Sequence, residues 1–567
     1  MILQALKEYY DRKASDPDSG IAPPGWEKKD IPFLIVLNEN ASPVTIEDTR
    51  ELVGKKVRAK SFLVPQSAKR SSGVKSNLLW DNVEYALGIG ENAEEKHKAF
   101  LNLLESFAEI PNVSTILRFL KSPNVETALS TFSSWSEIKE ECPFLSFKIV
   151  GTDYPVFRDP SVIVRIDNTQ VSQVAKKRSC LVSGEADIPV SLHSAIKGVQ
   201  GANTTGGNIV SFNFDAAKSF GKDQGFNAPI GSRAAFSYTT ALNTLLDKDS
   251  KQKLQIGDAT TVFWSEKKDA FEENFGDFWS EPPKDDPERL SNAIASLFKS
   301  VETGAFVTES DDTKFYVLGL SPNAARISVR FWHIGTVAEL ASSFREYFDD
   351  LRIAHGPRDK DDLSLWRLLV STAGQGKSEN ISPNLAGNVV RSILEGRPLP
   401  ATLFKAVILR IKAEREVTYP RAKLIKGCIN RKLRMSNPNN ERSLTMSLDK
   451  QNVNVGYRLG RLFATLEKIQ QEANPGINAT IRDKFYASAS STPSTVFGNL
   501  MRLKNHHLSK LESTGRRINF EKLLGEIIDG INSFPSHLML DDQGQFAIGY
   551  YHQAQDFFTK KTDKTNE

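Results

Sequence analysis

The chain has little cysteine. Its three cysteines in 567 residues, Cys142, Cys180 and Cys428, are odd in number and widely spaced. That pattern argues against a disulfide framework, and against a zinc site, which needs ligand pairs at short spacing. Long apolar runs are also missing. No stretch approaches the roughly 20 apolar residues of a spanning helix, and the longest runs, such as Phe33 to Leu37, have strand length. A membrane channel is thereby excluded. Nor is the charge one-sided. Lys plus Arg is 73 and Asp plus Glu is 69, a net charge of +4. That is too mild for a histone-like protein, yet it leaves room for local basic patches, which are what a nucleic acid feels. Apolar material is not lacking. With 40% hydrophobic and 25% charged residues, usage is that of ordinary globular proteins, which excludes a wholly disordered chain. There is no internal repeat and no long low-complexity segment. The opening, Met1 to Asp11, carries acids early and no extended apolar run, unlike a signal peptide. A reduced, cytoplasmic protein of about three to five domain-sized units is expected.

The pattern predicts strand, turn and strand over 31–46, then a basic loop with Lys55, Lys56, Arg58, Lys60, Lys69, Arg70 and Lys75. A short helix is expected at 78–88. Two helices over 93–121 should be split by Pro111-Asn112. Strands are expected at Phe147–Val150, Val162–Ile166, Cys180–Val182 and Ile209–Phe214, and a helix at 234–246. The acidic stretch 265–290, with Pro282-Pro283, reads as a surface loop. A strand pair, Phe315–Leu320 and Ile327–Trp332, precedes a helix marked by Val337, Leu340, Ala341, Phe344 and Phe348. Beyond residue 363 strand signals nearly vanish. Helices are expected from Leu365, over Leu385–Leu394 and over Leu403–Ile411, then an Asn437-Pro438-Asn439-Asn440 linker. The cleanest amphipathic helix carries Val455, Leu459, Leu462, Phe463, Leu466 and Ile469 on one face. Further helices near 478–488, 494–512 and 519–533 imply an antiparallel bundle, and the end from Thr559 reads as a polar tail. The fold class is therefore α+β: a large mixed body over 1–362, a helical region with a basic segment over 363–445, and a C-terminal helical bundle over 446–567.

Catalytic signatures are scarce. None of the eight histidines sits in a metal-ligand spacing, and no Gly-x-Ser-x-Gly elbow occurs. Ser371-Thr-Ala-Gly374-Gln-Gly376-Lys377-Ser378 nearly matches a phosphate-binding loop. It lacks the first glycine and follows a helical rather than a strand pattern, so a turn that ends a helix is the expectation. His506-His507 is a metal candidate whose adjacent side chains diverge on a helix, which favours a surface pair. No cofactor is expected. Nucleic-acid chemistry has more support. The basic loop 55–75 can neutralise phosphates, unless it is simply a solvated loop. Gly198 to Asn208 joins four glycines to Asn203, Thr204 and Thr205, with Lys197 and Gln200 beside them. Its glycines allow close backbone approach and its amides and hydroxyls can meet base edges; the alternative is a loop that closes a hairpin. Lys218, Phe220, Lys222, Gln224 and Asn227 interleave charge, amides and aromatics, which suits stacking on nucleotides. Residues 405–434 hold ten basic residues against two acidic ones. Among them Lys412, Arg415, Arg421, Lys423, Lys426, Arg431 and Lys432, with Arg458, Arg461, Arg502 and Lys504 beyond, are candidates to line a groove for a single strand.

Several segments together resemble a known family. They are Ile2 to Asp11, Phe62-Leu-Val-Pro65, Lys69 to Gly73, Asn77 to Asn82, Cys180 to Gly184, Gly198 to Gly207, Ser211-Phe-Asn213, Gly225 to Pro229, Tyr238 to Asn243, Leu459 to Glu467 and Gly549 to Gln553. In order and over essentially the whole chain, they resemble the large subunit of the type I-C CRISPR surveillance complex, Cascade. The resemblance implies a non-catalytic role at the 5′ handle of the guide RNA, beside the subunit that caps it, with backbone and small subunits as further partners. It implies recognition of a protospacer-adjacent motif (PAM) on target duplex DNA, strand opening, retention of the displaced strand and recruitment of a helicase-nuclease. Motif reading then falls by position on Ser72, Gly73, Asn77, Asn203, Thr204 and Thr205. Lys60, Lys69, Arg70, Lys75, Lys197, Lys218 and Lys222 would hold phosphates. In this family the small subunit resembles a separate product of the same message, for which Met446 is a candidate start and Met435 a competitor. The alternative functions are a protein-binding scaffold that reads no DNA, or a nuclease or NTPase.

Overall fold

In the computed structural model, the residues described are 1–54, 56–68, 70, 73–170, 177–212, 214–257, 259–302, 312–382, 384–436 and 444–558. The chain divides into two units. One comprises Met1–Ile196 and Val210–Thr244, the other Lys197–Ile209 and Leu245–Glu567. Neither 362 nor 445 is a break between units in this division. The Asn/Pro linker at 437–440, the tail from Thr559, and Lys55, Lys69, Ser72 and Asn213 lie outside the described residues.

The first unit opens with helix α1 (Ile2–Ala14) and strand β1 (Trp26–Asp30). Strand β2 (Phe33–Leu37) is buried at every position, as its unbroken apolar run demands. It pairs antiparallel with β3 (Pro43–Asp48), as the strand-turn-strand pattern predicts, and parallel with β8 (Phe144–Ile149), which pairs with β7 (Trp80–Asn82). The sheet order is thus β3-β2-β8-β7. Ile35 faces Ile46 on one side and Phe147 on the other. The expected basic loop is partly regular: β4 (Glu51–Val53) and β5 (Lys56–Arg58) form a hairpin, and β6 (Ser61–Pro65) pairs with β1. The crossover from β7 to β8 runs through α2 (Val83–Leu87), α3 (Ala93–Glu105), α4 (Pro111–Leu120), α5 (Val125–Leu129) and α6 (Trp135–Glu141). Pro111 opens α4, where a missing N–H costs nothing.

Three strand expectations fail here. Val162–Ile166 lies in helix α7 (Pro160–Gln170). Its β-branched residues are overruled by Pro160 in the first turn and by Asp159, whose carboxylate accepts from Ser161 N at 2.8 Å. Cys180–Val182 is a turn beside the two-residue strands β9 (Arg178–Ser179) and β10 (Ala186–Asp187). None of the described residues of 209–214 is in a strand. Helix α8 (Ser232–Leu245) appears where expected.

The second unit holds an antiparallel meander, β11 (Lys253–Ile256), β12 (Ala259–Ser265), β13 (Lys314–Asn323) and β14 (Arg326–Thr336). The stretch 265–290 is corrected. It is not simply a surface loop, because α9 (Ala270–Asn274) and the turn after it bury Phe271, Phe275, Phe278 and Trp279. Those rings pack on Phe315 and Phe344, with centroids 4.9 Å apart for Phe275–Phe315 and 5.0 Å for Phe278–Phe344. Helices α10 (Arg289–Glu302), α11 (Val337–Leu351), α12 (Leu365–Val370), α13 (Leu385–Leu394), α14 (Ala401–Glu414) and α15 (Tyr419–Ser436) follow. A capping box, Thr336 with Glu339, starts α11. The bundle is α16 (Val455–Ala473), α17 (Ile481–Ala489), α18 (Phe497–Ser509), α19 (Thr514–Asp529) and α20 (Leu540–Asp556). Helix α20, absent from the expectation, is buried continuously from Phe546 to Gln553, so it shows no amphipathic stripe. The architecture is mixed α+β, as expected.

Candidate nucleic-acid interface

The Gly/Asn/Thr segment is anchored at both ends on the meander of the second unit. Before the loop, Gln200 N donates to Thr260 Oγ1 at 2.9 Å, and that hydroxyl in turn donates to Gln255 Oε1 at 3.1 Å. After it, Asn208 bridges in parallel to Arg326 and accepts from Ile327 N at 3.1 Å. Between the anchors the chain turns tightly. Gly201 and Gly206 take φ values of +78° and +89°, and Gly206 N closes a turn on Asn203 O at 2.9 Å. A side chain at either glycine would be strained. The result is a short loop that leaves Asn203, Thr204 and Thr205 exposed at its tip. Lys197, exposed, lies at the base of the segment.

In the first unit, the residues grouped with motif reading behave differently. Gly73 is exposed at φ +76° with open space around it. Asn77 is 3% exposed. Its side-chain oxygen accepts from Ala68 N at 2.9 Å, and its own N–H donates to Asp81 Oδ2 at 2.9 Å. Asn77 therefore ties Ala68 to Asp81 from within, which corrects its expected place at a base edge. Arg70 is committed too. It donates to Lys75 O at 2.8 Å, pairs with the buried Asp81, and lies 4.0 Å from the Tyr85 ring centroid. Burial pushes the Asp81 carboxyl up, while Arg70 and the Asn77 N–H pull it back. Lys60 and Lys75 remain exposed. A third segment presents Phe220, 94% exposed at φ +51°. Asn227 pins this turn, accepting from Ser219 N at 2.9 Å and donating to Lys222 O and Gln224 O at 3.0 and 2.9 Å. Lys218 pairs with Asp215 and Asp223, and Lys222 sits 6.0 Å from the Phe220 ring centroid.

The basic run 405–434 is the largest correction. Arg421, Lys423, Lys426 and Arg431 on α15 are buried, and so is Arg461 on α16. They do not line a surface groove. Arg431, 0% exposed, donates to Arg397 O at 2.7 Å and faces Asp350 at 3.8 Å. Lys423 donates to Asp361 O at 2.6 Å, Lys426 to Asp350 O at 3.3 Å and Arg421 to Ser371 O at 3.0 Å. Arg461 reaches Glu526 at 2.8 Å and Gln553 at 3.2 Å. Loss of water lowers the Lys423 and Lys426 ammonium groups to about 8. Counting charge along a sequence cannot distinguish a solvated lysine from one that ties loops to a buried helix. Lys412 is half-buried, donating to Gln543 Oε1 at 2.7 Å, and Arg458 is half-buried on Asn452 O at 2.7 Å. Arg415, Lys432 and Arg502 are exposed and Lys504 partly so, with Lys432 paired to Asp541 at 2.6 Å.

The near-match to a phosphate loop is a turn after α12, closed by Lys377 N on Gly374 O at 3.2 Å. His506 and His507 have ring centroids 5.8 Å apart. Among the described residues no group of three or more His, Cys, Asp and Glu side chains could hold a metal ion. No helix among them is long and apolar enough to cross a membrane.

A family model described as CRISPR-associated protein (Cas_Csd1) matches residues 6–558. The chain belongs to that family, the family of the type I-C large subunit, and is a CRISPR-associated Cascade large subunit. Such a subunit works in a complex with other CRISPR-associated proteins and RNA. No curated protein matches the chain.

Proposed function

We propose that this large subunit serves a type I-C complex by binding target duplex DNA at the PAM, promoting strand opening and R-loop formation, holding the displaced strand and recruiting a helicase-nuclease. It does this without catalytic chemistry of its own. Its partners are the guide RNA, the subunit capping the 5′ handle, and the backbone and small subunits. Sequence reading beyond the motif passes to guide pairing. The observation that carries this reading is the doubly anchored Gly201–Gly206 loop. Rigid anchors fix the position of Asn203, Thr204 and Thr205, and an amide and two hydroxyls can discriminate base edges in a groove. Lys60, Lys75 and Lys197 supply phosphate contacts, and Arg415, Lys432, Arg502 and Lys504 are what remains of the displaced-strand surface. The helices after Met446 are the part that a separately translated small subunit would contain.

The test is duplex binding by the assembled, guide-loaded complex, with the base pairs beside the target permuted. The parent should prefer one flanking triplet, and Asn203→Ala/Thr204→Ala/Thr205→Ala should lose that preference. A variant that keeps the preference but binds every duplex more weakly would move motif reading away from this loop.

A further inference from the structure

Helices α13 and α14 line a groove of about 380 Å³. Helix α13 buries Leu385, Ala386, Val389, Val390, Ile393 and Leu394. Its other side carries Asn384 and Asn388, exposed and four residues apart. Helix α14 buries Leu403, Phe404, Val407, Ile408 and Ile411. Thr402, Lys405, Ala406 and Leu409 fall at i, i+3, i+4 and i+7 on a second face, and all four line the groove. Leu385, Ala406 and Leu409 supply its apolar surface, with Leu409 56% exposed. Ser382, Asn384, Asn388, Thr402 and Lys405 supply its polar surface. Among the described residues, none of these five side chains has a hydrogen bond or an ion pair. The main-chain carbonyls of Ser382 and Asn384 accept from Leu385 N at 3.1 Å and Asn388 N at 3.0 Å, which fixes the backbone and leaves the side chains to a ligand. A lone exposed leucine needs no explanation. One that shares a groove with five unengaged polar side chains does, because apolar surface with a few convergent polar groups is the make-up of a binding site.

The lining also specifies the ligand. Among its described residues there is no aromatic side chain to stack a base. Its one cation neutralises one phosphate, too little to hold a nucleic-acid strand. An extended peptide fits on each count. A carboxamide both donates and accepts, as a peptide group does. Four residues of helix advance about 6 Å, and two residues of extended chain advance about 6.6 Å. Asn384 and Asn388 therefore match alternate main-chain units of a strand laid along α13. With no acid in the described lining, Lys405 calls for a carboxylate, while Leu385, Ala406 and Leu409 call for an aliphatic side chain. Side chains two apart on an extended chain share a face. We propose that this groove binds an extended segment of a partner protein that carries an aliphatic and an acidic side chain two residues apart. The groove shares no residue with the Gly201–Gly206 loop, so the proposal stands or falls separately from DNA reading.

The test titrates the full chain, isotope-labelled at its leucine methyl groups, with the blocked peptide acetyl-Ser-Leu-Ser-Asp-Ser-amide. The readout is the NMR signals of Leu385 and Leu409, assigned with Leu385→Ile and Leu409→Ile. Both signals should shift and saturate. Exchanging the peptide's aspartate for asparagine should weaken binding about threefold, and Lys405→Gln should erase that difference. Asn388→Ala should weaken both peptides alike, by about fivefold. Lys405 and Asn388 are exposed, so neither change threatens the fold. Signals that do not move, or equal affinity of the parent chain for the two peptides, would overturn the proposal. A decathymidylate that moves the same signals at lower concentration than the peptide would assign the groove to nucleic acid, and would also overturn it.

Discussion

Helices α16 and α20 cross with glycine on both sides, and replacing one of those glycines should be costly. A Cβ built on Gly460 lies 2.7 Å from Tyr550 N and 2.9 Å from Phe546 C, with Phe546 O closer still. All three are backbone atoms of α20, so no side chain can swing aside. Gly549 meets Tyr457 backbone in the same way from the other helix. Ordinary contact begins at 3.4 Å; Tyr550 N alone would ask for a shift of about 0.7 Å, and the nearer Phe546 O sets a larger one, so Gly460→Ala requires the helices to part by about 1 Å or more. That separation loosens Phe463 from Phe546 and Tyr550, whose ring centroids now lie 5.9 and 6.1 Å away. Overpacking of this kind costs about 1–3 kcal/mol. Alanine returns roughly 0.5–1 kcal/mol of helix propensity, and because the obstruction is backbone the net loss should fall near 2 kcal/mol. The assay is urea unfolding followed by helical circular dichroism. Gly525→Ala in α19, with nothing within 4 Å of its Cβ, is the control and should gain about 0.5–1 kcal/mol. A Gly460→Ala protein as stable as its parent would refute the close crossing.

Other outcomes follow from the same geometry. Asn77→Ala leaves Ala68 N–H without its partner, so it should cost about 1–3 kcal/mol and speed proteolysis within 66–77; unchanged proteolysis would contradict its bracing role. Between pH 8 and 10 the parent should gain stability relative to Lys426→Met. Burial lowers the folded Lys426 ammonium to about 8, so in that window the unfolded chain holds the extra proton and stability rises with pH. The gain is about 1–3 kcal/mol, read from urea midpoints at both ends, and a flat difference would contradict it. Met446→Leu should abolish a C-terminal product that begins at residue 446, detected by mass spectrometry, while leaving full-length chain; persistence of that product would move the start elsewhere.

Periodicity foretold the elements with one buried face. The β2–β3 hairpin, α11 with Phe344 and Phe348, and α16 all appear as expected. Elements buried all round escaped, because burial on every side erases the stripe: α20 is the example. In 265–290 acidic residues masked Phe271, Phe275, Phe278 and Trp279, whose spacing is helical. The Gly/Asn/Thr loop was legible because glycine and amide clusters have few other uses. Burial of Arg421, Lys423, Lys426 and Arg431 was not, since the carbonyls they satisfy come from residues as distant in sequence as Asp350 and Arg397.

The most direct test of DNA reading is a photo-crosslink from position 204, with Thr204 replaced by a photoreactive phenylalanine in the guide-loaded complex bound to target duplex. Crosslinks to the base pairs that flank the target are the predicted result. Crosslinks only to protein or to guide RNA would contradict the account.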